Sequence, residues 1–268
     1  MITSIFTKSL WDRRRSTGWW ALGMVALAGV TVAVFPSIRN DTESFQNLFD
    51  SMPEGLMTMF GADDSATLFT ATGLINSRIY AGIGPAILAV FGIGLGTAAV
   101  AGEEERGTLD LLLAQPVART RLILEKFAAI VVATVVICAS IGLTLSVLNP
   151  LVDLELEAVN LVAANLGLGL LTLVFSSLAL AIGAVTGNRG LTIGVSATTT
   201  VFAFFVNGLA PLVDSLSWTQ KLSPFFWLQG PNRLANGFSP GYSLLMVGVI
   251  VILLATSIWG FNRRDVGV

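Results

Sequence analysis

Six stretches that hold no charged residue, 16–38, 79–102, 127–152, 158–188, 190–213 and 234–262, dominate this sequence. The shortest has 23 residues, and a helix needs about 20 apolar residues to cross a hydrocarbon core about 30 Å thick. Soluble core helices keep a polar face, and barrel strands alternate apolar and polar over about 10 residues; these runs do neither. The pattern predicts an all-α integral membrane protein. Its six transmembrane helices are expected over about 18–36, 79–101, 127–148, 159–185, 190–211 and 241–261. No internal repeat or low-complexity tract divides the chain, so 1–268 reads as a single transmembrane domain.

Charges make up 12% of the residues, and they gather between the apolar runs. Lys and Arg are retained on the cytoplasmic side. With the N-terminus inside, the inner segments hold Lys8, Arg13, Arg14, Arg15, Arg106, Arg119, Arg121, Lys126, Arg189, Arg263 and Arg264, which is 11 of the 15 Lys and Arg. Arg39, Lys221 and Arg233 fall outside among acidic residues, and Arg78 falls at a boundary. Both termini are therefore expected in the cytoplasm, with the chain multi-pass in a cell membrane. Arg13–Arg15 before the run Trp19–Phe35 resembles a signal peptide. The run is long for one, however, and lacks a small-x-small cleavage pattern near Pro36.

Cys138 is the only cysteine and histidine is absent, which removes an intramolecular disulfide, histidine-based zinc sites and Ser-His-Asp hydrolysis. A net charge of −2 without an aromatic-basic patch argues against nucleic acid. An intramembrane enzyme lacks the buried acid-base pairs it would need.

Residues 1–17 place Ile2, Ile5, Phe6 and Ser9 opposite Lys8, Asp12 and Arg15, the pattern of an interfacial helix or of a solvated tail. Residues 36–77 read as an outer segment of short amphipathic helices, either resting on the membrane or covering an exit path. Residues 211–240 hold Pro211, Pro224, Pro231 and Pro240 with Phe225, Phe226 and Trp227, and read as a broken or re-entrant outer element before the last span. Gly92 and Gly96, Gly183 and Gly187, and Gly190 and Gly194 recur at a spacing of four, suited to close helix packing or to hinges.

The spans carry hydroxyls and amides, such as Thr134, Asn165, Ser176 and Asn207, but no titratable charge of the kind proton-coupled carriers use. Sodium can still be held by neutral oxygens, so a self-sufficient secondary carrier or channel stays open. The phosphate route needs a GxxxxGK[ST] loop. The three lysines, Lys8, Lys126 and Lys221, stand in none. If ATP drives this chain, a separate polypeptide binds it.

The loop 102–126 is the surface suited to receive such force. Glu103, Glu104 and Glu105 fall at a helix start, where the dipole favours negative charge. Leu109, Leu112 and Leu113 form an i, i+3, i+4 stripe, and Pro116 ends the helix. A leucine ridge on a charged base fits a groove on a partner, or else lies on lipid headgroups anchored by Arg119, Arg121 and Lys126.

The run GEEERGTLDLLLAQPVARTRLILEK resembles the signature of ABC-2 type transporter permeases, E-x-x-x-G-T-L-x-x-L-L-x-x-P-V-x-R, at Glu103, Gly107, Thr108, Leu109, Leu112, Leu113, Pro116, Val117 and Arg119. The segment LSPFFWLQGPNRLANGF is similar to the S-P-aromatic stretch of that family. The resemblance implies a non-catalytic permease subunit of an exporter, with a coupling helix after span two. It further implies a second permease copy or a related permease, and a cytosolic ABC ATPase subunit that carries the ATP and Mg. It implies no cofactor on this chain and names no cargo.

Overall fold

The computed structural model describes residues 4–40, 70–113 and 117–264. Among these every regular element is helical, and six helical runs are long and apolar enough to span a membrane. The expected outer segment lies mostly outside the described residues.

Helix α1 runs over Ile5–Asn40. The expected interfacial helix is thus continuous with the first span, because nothing before Pro36 removes a backbone donor. Its 36 residues measure about 54 Å at about 1.5 Å per residue. The charged first turns, with Lys8 and Arg13–Arg15, therefore extend beyond a hydrocarbon core.

The second span starts earlier than the charge pattern predicts. It comprises α2 (Ala71–Ile75), a π-helical segment (Asn76–Ala81) and α3 (Ile83–Ala99). Arg78 sits inside the π segment with its side chain exposed, so a charge that marks a boundary in sequence lies mid-element in space. The break at Gly82 has a local cause. Pro85 has no N–H to give the carbonyl of Ala81 four residues back, and Gln229 Nε2 donates to that carbonyl instead.

Two short helices follow, α4 (Ala101–Glu105) and α5 (Leu109–Leu113), and then α6 (Arg119–Val152). Asn149 closes the turn after α6, its amide donating to Leu156 O and accepting from Leu156 N at 3.0 and 3.1 Å. Helices α7 (Ala158–Thr186) and α8 (Arg189–Leu209) meet at a tight corner. Gly187 ends α7 at φ +66°, and the Asn188 side chain accepts from Leu191 N at 2.9 Å to start α8.

The 211–240 region folds into 3₁₀ segments at Ala210–Leu212 and Ser217–Leu222, then α9 (Pro224–Gln229) and α10 (Arg233–Asn236), before the last span α11 (Pro240–Arg263). Phe225 and Trp227 pack inward while Trp218 and Phe238 are exposed; Phe225 is fully buried, its ring centroid 5.4 Å from that of Phe175 and 5.3 Å from that of Phe204. Arg233 is buried as well and spans two elements, Nη1 donating to Ser243 Oγ at 2.9 Å and Nη2 to Trp227 O at 3.2 Å.

Helix α7 is the axis of the fold, packed by α3, α6, α8, α11 and α10, while α1 lies against α6. Its closest neighbour is α3. A Cβ at Gly96 would stand 2.2 Å from Ser176 O, and one at Gly92 would stand 2.7 Å from Thr172 O, so only glycine lets these backbones approach so far. Gly183 faces Ala101 and Thr192 at ordinary contact distance. Gly190 and Gly194 are exposed on α8, and a Cβ at Gly194 would meet nothing within 4 Å.

Candidate functional site: a charged collar at one end of the bundle

Three consecutive glutamates on α4 each reach a cation from a different part of the bundle. Glu103 Oε1 accepts from Lys126 Nζ near the start of α6 at 2.6 Å. Glu104 pairs with Arg264 just beyond α11. Glu105 Oε2 accepts from Arg189 Nη1, the first residue of α8, at 2.6 Å. Successive helical residues point about 100° apart, so a run of three adjacent acids fans out toward three separate spans.

The pairs differ in setting. Glu103 and Lys126 are buried, with side chains 11% and 5% exposed, whereas Arg189 and Glu105 are each about half exposed. Burial opposes the charged form of Glu103, but hydrogen bonds from Lys126 and Thr108 and the charges of Lys126 and Arg106 outweigh it, holding the carboxyl below its ordinary value. Thr108 Oγ1 donates to the Glu103 carboxylate and also to its backbone O, tying the loop beyond Gly107 back onto α4.

Further contacts complete the collar. Arg264 Nη1 also approaches the carbonyls of Gly183 and Ala184 at 3.5 and 3.4 Å, placing positive charge at the C-terminus of α7. Arg119 Nη1 donates to Phe261 O and Arg264 O at 3.1 and 2.7 Å, joining α6 to the end of α11. Glu125 Oε2 accepts from Phe6 N at 3.0 Å and so caps α1. A Cβ on Gly187 would stand 2.5 Å from the Arg264 guanidinium and 2.6 Å from the Glu104 carboxylate. That glycine, read from spacing as a helix-packing residue, is a chain reversal that leaves room for an ion pair.

The loop departs from the expected single helix with an exposed leucine ridge. Gly107 at φ +64° divides it into α4 and α5. Leu109 and Leu112 are 1% and 5% exposed, turned into the protein's own apolar core, because the reversal at Gly107 folds α5 back. The outward residues are Glu105, Arg106, Gly107 and Asp110. Leu113 ends α5, and Pro116 lies outside the described residues. Glu103, Glu104 and Arg119 stand out in the loop motif itself, whereas in sequence Lys126 reads only as a headgroup anchor and topology marker, and Arg189 and Arg264 only as topology markers. In sequence they stand beside apolar runs, Lys126 before 127–152, Arg189 between 158–188 and 190–213, and Arg264 after 234–262, with no mark of which glutamate each meets.

Six apolar spans joined at one end by an ion-paired loop define a multi-pass helical membrane protein whose most elaborate polar structure lies at that end of the bundle. The chain belongs to the family described as ABC-2 family transporter protein, whose profile it matches over residues 3–266. That family forms the membrane component of ABC transporters and normally pairs with an ABC ATPase. Comparison with curated proteins finds no match.

Proposed function

We propose that this chain is the permease subunit of an ATP-driven exporter, and that the collar is where a separate cytosolic ATPase, carrying ATP and Mg, drives it. On this reading the charged end, with both termini, faces the cytoplasm. The observation that supports it is the fan of Glu103, Glu104 and Glu105 to Lys126, Arg264 and Arg189. A push on α4 and α5 is delivered at once to α6, α8 and α11. Charge pairs hold their direction under load better than apolar contacts do, since each has a defined partner and geometry.

The ATPase would meet the outward residues Glu105 and Asp110 rather than the buried leucines. A second copy, or a related permease, would complete the path; the exposed Gly194 leaves the α8 backbone open to close approach.

The test is co-purification with the ATPase, followed by reconstitution and measurement of ATP hydrolysis. Glu104→Ala with Arg189→Ala, which breaks two of the three pairs and leaves the outward residues of the loop in place, is expected to retain ATPase binding and membrane insertion while losing most of the permease-dependent stimulation of hydrolysis. Unchanged stimulation would remove the collar from the coupling path. Solute movement by the purified chain without any ATPase would replace the whole reading with a self-sufficient carrier.

A further inference from the structure

Beside the collar, α1 and the end of α3 enclose a cleft of about 470 Å³ that the coupling reading leaves unused. Lys8, Asp12 and Arg13 line it from α1, and Glu103, Arg106 and Lys126 line it from the loop and α6. Glu103 and Lys126 neutralise one another. That leaves Lys8, Arg13 and Arg106 facing Asp12, and among the described residues none of these four makes an ion pair. Ser9 also lines the cleft; it is 6% exposed and its Oγ has no hydrogen-bond partner. The cleft therefore combines surplus positive charge with an unused buried donor.

Its polarity changes along α1. Above the cations, Trp20 and Phe91 make the wall apolar, and Trp20 is shared with a second groove of about 390 Å³ formed by Trp19, Gly23, Met24 and Ile87. From Arg13 to Met24 the helix climbs about 16 Å at about 1.5 Å per residue. Cationic floor, tryptophan collar and apolar groove follow one another in the order of headgroup, interface and acyl chain. A free phosphate would use the lower half alone and give the groove no role.

We propose that this cleft binds one anionic phospholipid from the leaflet at the charged end. Its phosphate sits among Lys8, Arg13, Arg106 and the Ser9 hydroxyl, and an acyl chain lies in the groove beyond Trp20. Basic pockets between helices at a membrane surface suit such headgroups. The site stands whether or not the collar couples to an ATPase.

The experiment uses the full chain reconstituted in vesicles of phosphatidylglycerol and phosphatidylcholine in equal parts, then extracted and weighed by native mass spectrometry. Wild type is expected to retain one phosphatidylglycerol in preference to phosphatidylcholine. Arg13→Gln with Arg106→Gln should weaken retention roughly 25-fold, at about 1 kcal/mol for each cation near an anionic surface. Gly94 lines the cleft and Gly23 the groove, and a Cβ at either would meet nothing within 4 Å. Gly94→Phe and Gly23→Phe therefore fill the space with every charge intact, and each should abolish retention even if the double arginine variant fails to fold. Arg14→Gln, an exposed neighbour stacked on Trp11, should retain the lipid. Equal retention of both lipids by wild type would overturn the proposal, as would loss in Arg14→Gln matching the double variant. Displacement by inorganic phosphate with Gly23→Phe unaffected would assign a free-phosphate site instead.

Discussion

Glu103 concentrates the collar's energetics in one side chain. Removing one partner of a buried ion pair strands the other charge, at a cost of about 3–5 kcal/mol, whereas replacing both by apolar residues is often neutral. Glu103→Ala is therefore expected to lower the thermal midpoint of the detergent-solubilised protein sharply. Glu103→Leu with Lys126→Met should recover most of that loss. If the single and double variants melt alike, the pair is not what holds α4 to α6. The pH dependence has a definite sign. A carboxyl held below its ordinary value of 4.5 stabilises the fold above that value, and the contribution is lost as pH falls through the lower, folded-state value. The wild-type midpoint should thus fall on acidification below about pH 4.5 by more than that of the double variant.

Helix packing separates glycines that look identical in a spacing pattern. Gly96 sits where a Cβ would stand 2.2 Å from the backbone oxygen of Ser176, while Gly194 has open space beside it. Backbone cannot yield as a flexible side chain can, so Gly96→Ala must push α3 from α7 and is expected to cost about 1–3 kcal/mol. Gly194→Ala should be neutral or slightly stabilising in the isolated chain, since alanine favours helix by up to about 1 kcal/mol over glycine. Equal thermal midpoints for the two variants would contradict the tight α3–α7 contact. The same logic explains the second span, where Pro85 takes a donor out of the ladder and Gln229, at the end of the short helix α9, restores it. A broken helix is tolerated within a span because another element supplies the missing hydrogen bond.

Across the whole molecule the apolar runs form a bundle around α7, and the lone thiol reports on it. Cys138 is 8% exposed on α6, so maleimide labelling should be slow in the folded protein and rise together with unfolding. Rapid labelling under native conditions would show that the bundle opens locally at α6. Spans, their number and the class of protein were legible in the sequence, because crossing a membrane requires long uncharged runs and nothing else produces six of them. The family signature at Glu103–Arg119 was legible for the same kind of reason, being contiguous residues at fixed spacing. What contiguity could not reveal was direction. Leu109 and Leu112 carry the pattern of an outward ridge, yet the positive φ at Gly107 turns them into the core. Lys126, Arg189 and Arg264 lie 23, 84 and 160 residues from their glutamate partners, so their roles exist only once the spans are packed. Hydropathy is a property of a segment and is written locally, whereas an ion pair is a property of two segments, and only the tertiary structure decides which ones meet.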